Sequence, residues 1–457
     1  MSEGQNQRAD TRSLVILAFS ATAGVLVEFY DFFIYGYAAA SAFPAIFFPK
    51  LPPTQALLFS YLAFGAGFPA RLIGAFIFGH FGDRTGRKFS FLLNIAIVGV
   101  TTCLTGLLPG YATLGIAAPV LLVVLRIVQG IGLGGEFGGA SSLLAEFGAE
   151  RKSRAFWMSL ASLGVPLGAM AASGVMLILS KTFATTGWRI GMLLSVLIVV
   201  PALLARYKLA DSPFFERLKQ QEQLAALPSL TVLKEHRTSI VLVGLVVSFM
   251  TMDGYVMGTY FISFMKFVGI PLTTTAFILL LGRIADALGV LLTGPLADFC
   301  KRRMAAYIAV GLATLLSYPF VLAVLHKRIG LAIALQIPIS FFGIGVTHGL
   351  APILASENFP TKFRYSGAGI SLSVAGILGG MIAPSLLAGF IGQDVYRRWY
   401  FVPLLYAFYC AAAMLALYFM RETRDVSLQD LDRPESGLAF AEAPGGALPD
   451  RPSGASR

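Results

Sequence analysis

The chain has 457 residues, of which 56% are hydrophobic and only 13% are charged, and its formal net charge is +11. Its mean hydropathy is +0.74, whereas a soluble domain carries about a quarter of its residues as charged side chains. The composition therefore excludes a soluble enzyme and predicts a protein that lies in a lipid bilayer.

Apolar windows of about 20 residues, the length that crosses the hydrocarbon as a helix, recur along the chain. Transmembrane strands are excluded, because they alternate in polarity and run to about ten residues. The first window is too long for a removable signal peptide and contains Glu28 and Asp31. We predict an all-α membrane protein with twelve transmembrane helices, at 14–40, 56–81, 89–108, 114–145, 154–180, 188–205, 240–265, 273–297, 305–325, 329–355, 366–391 and 399–420.

The distribution of Lys and Arg predicts the orientation of these helices. Both residue types are concentrated in the segments on the same side as the two termini, and the positive-inside rule assigns that side to the cytoplasm. We therefore expect a multi-pass protein of the plasma membrane, a bacterial inner membrane, with both termini cytoplasmic. The positive net charge is explained by this orientation pattern, so we do not expect nucleic acid as a partner. The three cysteines lack metal-binding spacing, so we predict neither a metal site nor a disulfide.

The longest internal polar stretch, 206–238, is predicted to be a cytoplasmic linker between two halves of six helices, 1–205 and 239–420. The tail at 421–457 lacks heptads and is expected to be disordered. The halves are related in sequence, because Glu and Trp recur in them at one common separation, as Glu146 with Glu357 and Trp188 with Trp399. A repeat of two six-helix halves is a transporter architecture that holds its substrate near the middle of the membrane.

Eight ionisable side chains lie well inside the predicted helices. Each would cost about 2.5–3.5 kcal/mol if it faced lipid at the centre of the bilayer, so all are expected to face the protein interior. Structural ion pairs are the alternative to a functional role for them. They are Glu28, Asp31, Arg71, Arg126, Glu136, Asp253, Arg283 and Asp286.

Two helical stripes predict a proton-coupling site in the first half. Glu28, Asp31 and Tyr35 share one face of the first helix, and Arg126, Gln129 and Glu136 share one face of the fourth. An arginine beside a carboxylate favours its ionised form, and moving the arginine away lets the acid take up a proton. We predict coupling through Asp31 and Arg126, with Glu28 and Glu136 as further candidates and a fixed ion pair as the alternative.

Substrate binding is predicted for a second set of polar side chains. Arg71 has no acid within one turn, so it meets either an acid of another helix or a substrate carboxylate, for which its planar fork is suited. Arg283 and Asp286 are three residues apart and could neutralise each other. The predicted lining of the cavity is Arg71, Tyr35, Gln129, Asp253, Tyr255, Tyr260, Arg283 and Ser371.

Several motifs resemble a known family. GHFGDRTGRK (79–88) resembles the signature loop of the major facilitator superfamily, and RIVQG (126–130) its fourth-helix arginine motif. EFYDFFIYG (28–36), LGGEFGG (133–139) and DSPFFERL (211–218) are similar to its metabolite:H+ symporter family, nearest to the shikimate and organic-acid branch. The resemblance implies a fold of two pseudo-symmetric six-helix halves, with an acid at 28 and 31 and an arginine at 71.

The resemblance also implies a cytoplasmic gate. Asp83, Arg84 and Arg87 would form a latch, with Glu146 as a plausible partner and Glu357 as a counter-charge in the second half. The second half departs from the family pattern, because it has DFCKRR (298–303) in place of a second signature loop, which weakens the expectation of two equal latches.

The leading hypothesis is a symporter that imports a small carboxylate such as shikimate, 2-oxoglutarate or citrate, driven by the proton gradient and without a cofactor. It is not expected to be an enzyme, since no nucleophile elbow, phosphate loop or zinc spacing occurs. The expected partners are an anionic small molecule, protons and lipid, and a monomer is expected. The alternatives are a betaine or proline symporter, a proton-antiport exporter, and a non-transporting membrane receptor.

Overall fold

The computed structural model describes residues 11–85, 87–134, 154–208, 228–360 and 364–424. Every regular element in these ranges is helical, which confirms the predicted all-α class. The predicted linker lies largely, and the tail from residue 425 onward lies wholly, outside the described residues.

The first half is built from helices that are interrupted where glycine, proline or a polar loop occurs. Pro53 begins its helix, where its missing N–H leaves no hydrogen bond unmade. One element, Phe183–Gly187, is a π-helix. The helices are Thr11–Ser41, Phe43–Phe47, Pro53–Gly65, Gly67–Thr85, Arg87–Leu107, Tyr111–Leu114, Ala117–Leu133, Arg154–Ser162, Gly164–Ile178, Phe183–Gly187, Trp188–Leu193 and Val196–Lys208.

The second half repeats this plan, and its described residues include the π-helical segments Val256–Tyr260, Ser340–Val346 and Gly376–Ile382. A glycine with a left-handed backbone, Gly269 (φ 88°), ends one of its helices. The remaining helices are Pro228–Glu235, Arg237–Tyr255, Phe261–Val268, Leu272–Phe299, Arg302–Leu325, Ile329–Ile339, Thr347–Glu357, Arg364–Ala375, Ala383–Phe390, Val395–Arg398 and Phe401–Phe419.

Helices that continue one another form twelve spans, which correspond one to one with the predicted windows. Nine of them are long and apolar enough to cross a membrane within the described residues, and the first helix and two shorter apolar helices complete the set. We number the spans 1 to 12, at 11–41, 53–85, 87–107, 117–133, 154–178, 183–208, 237–268, 272–299, 302–325, 329–357, 364–390 and 401–419.

Large apolar side chains cover the outside of the bundle, as a lipid environment requires. Ile178, Leu315 and Phe408 are 82%, 70% and 69% exposed. Six of the predicted intramembrane charges that the structure describes are at most 2% exposed, namely Glu28, Asp31, Arg126, Asp253, Arg283 and Asp286. The charged groups within the spans are therefore sheltered inside the bundle, while its outer surface is apolar.

Glycines allow helices of the same half to touch through their backbones. A Cβ on Gly164 of span 5 would lie 2.4 Å from the Thr22 carbonyl oxygen of span 1. A Cβ on Gly345 of span 10 would lie 2.5 Å from the Asp286 carbonyl oxygen of span 8. Such contacts hold each six-helix half together as a unit, because small residues permit close packing where lipid offers no hydrophobic driving force.

The two halves contact each other near both ends. We call inner the side that the charge bias assigns to the cytoplasm. On that side, the Ala155 N–H of span 5 donates to Asp298 Oδ1 of span 8 at 3.3 Å. On the outer side, Ser263 of span 7 donates to the Ala40 carbonyl of span 1 at 2.9 Å, and Tyr61 lies 3.1 Å from Ser263. Described residues of the two halves therefore touch at both ends of the bundle.

Candidate functional site

An aromatic cluster fills the middle of the interface between the halves. The ring of Tyr255, from span 7, packs against four phenylalanines of spans 1 and 2, with centroids 5.3–6.2 Å apart. These rings are Phe32, Phe33, Phe64 and Phe68. Because the cluster joins both halves, any rocking of one half against the other must part these rings.

The first charged contact at this interface joins spans 1 and 2. Arg71 Nη1 lies 2.6 Å from Glu28 Oε1, and the Glu28 side chain is fully buried while that of Arg71 is 15% exposed. Of the two partners that the sequence left open for Arg71, the structure therefore provides the acid of another helix.

Asp31 and Arg126 are joined through a chain of hydrogen bonds and not by direct contact. Thr102 of span 3 donates to Asp31 Oδ2 at 3.0 Å, and Gln129 Nε2 donates to the Thr102 hydroxyl at 2.7 Å. Arg126 Nη1 donates to Gln129 Oε1 at 2.6 Å. The expected direct pair is corrected in this respect, because Thr102 and Gln129 stand between the charges.

Aromatic rings enclose the guanidinium of Arg126. Its central carbon lies 4.3 Å from the centroid of Phe32, 4.4 Å from Tyr35 and 4.9 Å from Phe64. Its Nε donates to the Phe64 carbonyl at 2.9 Å. Such rings attract a cation through their faces, so the cluster holds this charge in a site almost without water. Among the described residues, Arg126 Nη2, Asp31 Oδ1 and the Tyr35 hydroxyl have no hydrogen-bond partner.

A second arginine, Arg283 of span 8, reaches the same interface from the other half. Its Nη1 lies 3.4 Å from Asp286 Oδ2, and its Nη2 donates to the Gly254 carbonyl at 3.3 Å. Its guanidinium carbon lies 4.3 Å from the ring centroid of Phe33 in span 1. The arginine fits only because Gly258 has no side chain, since a Cβ there would lie 2.0 Å from Nη2.

Asp253 does not line the interface, contrary to expectation. The Tyr406 hydroxyl of span 12 donates to its Oδ1, and its Oδ2 lies where a Cβ on Gly343 of span 10 would be. The carboxyl group is fully buried inside the second half. The predicted lining included both Asp253 and Tyr255, but residues two positions apart on a helix point in different directions.

Two other expected lining residues are also satisfied elsewhere. The Ser371 hydroxyl donates to the Gly367 carbonyl of its own helix at 2.8 Å. The Tyr260 hydroxyl donates to the Leu387 carbonyl at 3.4 Å, near the outer contact of the halves. The members of the predicted lining that the structure brings to the central interface or its hydrogen-bond chain are Arg71, Tyr255, Arg283, Tyr35 and Gln129.

The inner end of the second half carries a buried ion pair. Arg302 Nε lies 2.8 Å from Glu357 Oε2, and Thr423 donates its hydroxyl to the same oxygen. The Glu422 carboxylate accepts the backbone N–H of Arg302 at 3.0 Å and of Arg303 at 3.1 Å. Glu357 thus serves as a counter-charge to its own half's loop. Glu136 and Glu146 lie outside the described residues, and only the backbone of Asp83, Arg84 and Arg87 is described.

The structure adds residues that the sequence did not single out. Thr102 and Tyr406 carry no sequence signal, because each is one hydroxyl among many in an apolar helix. Two phenylalanines of the cluster, Phe32 and Phe33, do carry one, since FYDFF (29–33) combines four rings with an acid. His348 is buried, with Nδ1 3.0 Å from the Ile344 carbonyl oxygen.

Neither a metal cluster nor a polar pocket adds to this site among the described residues. Within the described ranges, no group of three or more His, Cys, Asp or Glu side chains could hold a metal ion. A groove of about 400 Å³ lies between spans 2 and 11 and is lined by Leu58, Leu62, Met381, Ile382, Ser385, Leu386, Gly389 and Phe390. Because this lining is almost entirely apolar, the groove does not resemble a site for a charged molecule.

Comparison with known proteins agrees with this architecture. The Major Facilitator Superfamily profile matches residues 24–384. The chain is 36% identical over 434 residues to the inner membrane metabolite transport protein YhjE of Escherichia coli K12, covering 92% of this chain and 96% of that protein. It is 31% identical over 416 residues to the shikimate transporter of the same organism, covering 89% and 94%. The fold is similar to that of the proton:xylose symporter XylE, with a TM-score of 0.70, 15% identity and coverage of 93% and 99%.

Proposed function

The chain belongs to the Major Facilitator Superfamily, and because its relatives are metabolite transporters, we propose that it is a proton-coupled symporter that imports a small carboxylate. The family consists of secondary transporters and not of enzymes. The chain is a multi-pass membrane protein in which alternating access would proceed by rocking the halves about the aromatic cluster.

One observation carries the proposal: a buried acid of span 1, Asp31, is linked through hydrogen bonds to an arginine, Arg126, that is held by the rings of the central interface. Protonation of Asp31 would therefore change the hydrogen bonds that reach Arg126 at the interface between the halves. Such a link is what coupling requires, because a ligand shifts a conformational equilibrium only through a difference in its interactions with the two states.

Thr102 supplies a plausible step in that link. Its hydroxyl lies 3.0 Å from Asp31 Oδ2 and 2.9 Å from the Val98 carbonyl oxygen, but it has one hydrogen to donate. With Asp31 ionised, the hydrogen points to the carboxylate. When Asp31 is protonated, its carboxyl group donates to the Thr102 hydroxyl oxygen, and the Thr102 hydroxyl turns its hydrogen to the Val98 carbonyl. The hydrogen-bond chain that ends at Arg126 then no longer begins at a negative charge.

Arg71 is the proposed substrate contact. It is bound to Glu28 in this structure and is the partly exposed member of that pair. A substrate carboxylate would compete with Glu28 for the same guanidinium fork. The rings of Phe68 and Tyr255 nearby would contact the body of the substrate, and Arg283 would offer a second positive charge from the other half.

A second candidate follows from the same cluster. Aromatic rings recognise quaternary ammonium groups through their faces, so a betaine-type substrate could place its carboxylate at Arg71 and its ammonium group among the rings. This reading keeps the predicted alternative of a compatible-solute symporter.

The test is uptake into proteoliposomes. A panel of labelled shikimate, 2-oxoglutarate, citrate and betaine is supplied with and without an inward proton gradient. The proposal expects accumulation of at least one organic acid that collapses when the gradient is removed. Accumulation of betaine alone supports the second candidate, and efflux driven by the same gradient contradicts import.

A further inference from the structure

The buried charges of the two halves are not balanced in the same way. Among the described spans of the first half, Glu28 and Asp31 are matched by Arg71 and Arg126. In the second half, Asp253 and Asp286 are both fully buried, and the arginine at their depth is Arg283. Arg283 is already bound to Asp286 and to the Gly254 carbonyl, so within the described ranges one of these two carboxyl groups has no cation bound to it.

Among the described residues, no cationic side chain forms an ion pair with Asp253. Tyr406 faces it from span 12, and Arg283 and Asp286 face it from span 8. Gly343 of span 10 lies beside the Asp253 carboxyl group, and Ala313 of span 9 lies beside Gly343. His348, also of span 10, lies beside Gly254. Tyr37 and Phe33 of span 1 face Arg283. Among the residues the structure describes, Oδ2 of Asp253 has no hydrogen-bond partner.

An isolated ionised carboxylate buried in a protein is very unfavourable, and such a group binds a proton or a cation instead. We propose that Asp253 is a second proton-binding carboxyl group of the transporter, located in the second half and controlled by Arg283. The proposal rests on the proposed proton coupling and adds a second proton to it. The only bond that forms or breaks is the O–H bond at Oδ2, with water as the source and acceptor of the proton.

Arg283 gives this group a connection to the conformational cycle. It touches Phe33 of the first half, and this contact is lost when the halves part. The freed arginine can then turn from Asp286 towards Asp253 and favour release of the proton. Two π-helical segments, Val256–Tyr260 and Ser340–Val346, flank the group, and π-helical turns occur frequently at functional sites, where they permit local rearrangement.

The first experiment detects the proton directly. Infrared spectra of the full-length protein in lipid are recorded across a pH titration for the wild type, Asp253→Asn and Asp31→Asn, with the exposed Asp394→Asn as control. We expect a carbonyl band of a protonated carboxyl group that is absent from Asp253→Asn, present in Asp31→Asn and the control, and shifted by Tyr406→Phe. If Asp253→Asn retains every such band of the wild type, the proposal is wrong.

The second experiment counts transported protons. With the membrane potential clamped at zero, a tenfold proton gradient supports about 100-fold accumulation when two protons move with each substrate and about tenfold when one moves. We expect about 100-fold accumulation by the wild type and about tenfold accumulation by Asp253→Asn. Tyr406→Phe keeps the acid, so its accumulation should stay above about tenfold. Equal accumulation by wild type and Asp253→Asn overturns the proposal, as does accumulation that follows a sodium gradient. If the wild type transports nothing in the panel, the proposed function fails, while the infrared result still decides whether Asp253 binds a proton.

Discussion

Arg71 of span 2 and Glu28 of span 1 form an ion pair of 2.6 Å at the edge of the aromatic interface, with the acid fully buried and the arginine partly exposed. The pair occupies the guanidinium that a carboxylate substrate would need. Under the proposed function, Glu28 therefore competes with the substrate for this guanidinium.

The first prediction concerns this competition. Glu28→Gln removes the internal competitor and should tighten binding of the transported acid by about tenfold, which corresponds to about 1.4 kcal/mol. The free energy of unfolding should fall at the same time, because Arg71 is left uncompensated. Binding is measured by calorimetry in detergent, with Asp394→Asn as control, since that acid is 60% exposed. Weaker binding by Glu28→Gln would mean that Glu28 itself holds the substrate.

The second prediction tests the hydrogen-bond chain through Thr102. Thr102→Val keeps the shape of the side chain but removes the hydroxyl between Asp31 and Gln129. Gradient-driven accumulation should fall by at least tenfold, while substrate exchange without a gradient continues. Thr101→Val is the matched control, because the Thr101 hydroxyl donates only to backbone carbonyls of its own helix. Equal losses in the two variants would remove the chain from the coupling mechanism.

The third prediction concerns the inner contact of the halves. A Cβ on Gly294 of span 8 would lie 2.4 Å from the Phe156 Cα of span 5, so Gly294→Ala should hold this end open. Cys300, close to the contact, should react with maleimide severalfold faster than in the wild type, with the other two cysteines replaced by alanine. Gly174→Ala is the control, because nothing described lies within 4 Å of its added Cβ. An unchanged alkylation rate in Gly294→Ala would show that the end does not close here.

The fourth prediction concerns stability at the same end. Glu357→Gln leaves Arg302 buried without its charge partner and should lower the free energy of unfolding by about 3–5 kcal/mol. Asp394→Asn breaks an exposed pair at 3.9 Å and should cost about 1 kcal/mol or less. Thermal unfolding in detergent compares them. If both variants shift Tm equally, the Glu357 pair is no more stabilising than a surface contact.

Much of the fold was predictable because the bilayer limits the choices. In lipid, the backbone polar groups of each span must be hydrogen-bonded within a helix. In a chain with only 13% charged residues, the apolar windows therefore indicate where the helices lie. The same reasoning correctly placed Glu28, Asp31 and Arg126 inside the bundle. The family was recognisable as well, because loop motifs such as GHFGDRTGRK are local in sequence.

The site was only partly predictable. Helical spacing shows which side chains share a face, such as Asp31 and Tyr35, but it does not show which helix that face meets. Asp31 meets Thr102 of span 3, and Asp253 meets Tyr406, 153 positions away. Neither partner has a sequence signal, since a hydroxyl in an apolar helix is common.

The sequence by itself determined the membrane environment, the number of spans and which charges must be sheltered, because these depend on transfer of each residue from water to lipid. Only the tertiary structure decided the partners of those charges: Glu28 for Arg71, a two-residue bridge between Asp31 and Arg126, and an interior place for Asp253. The reason is that a partner is selected by the packing of distant helices, and glycines such as Gly258 and Gly343 open the space into which these side chains fit.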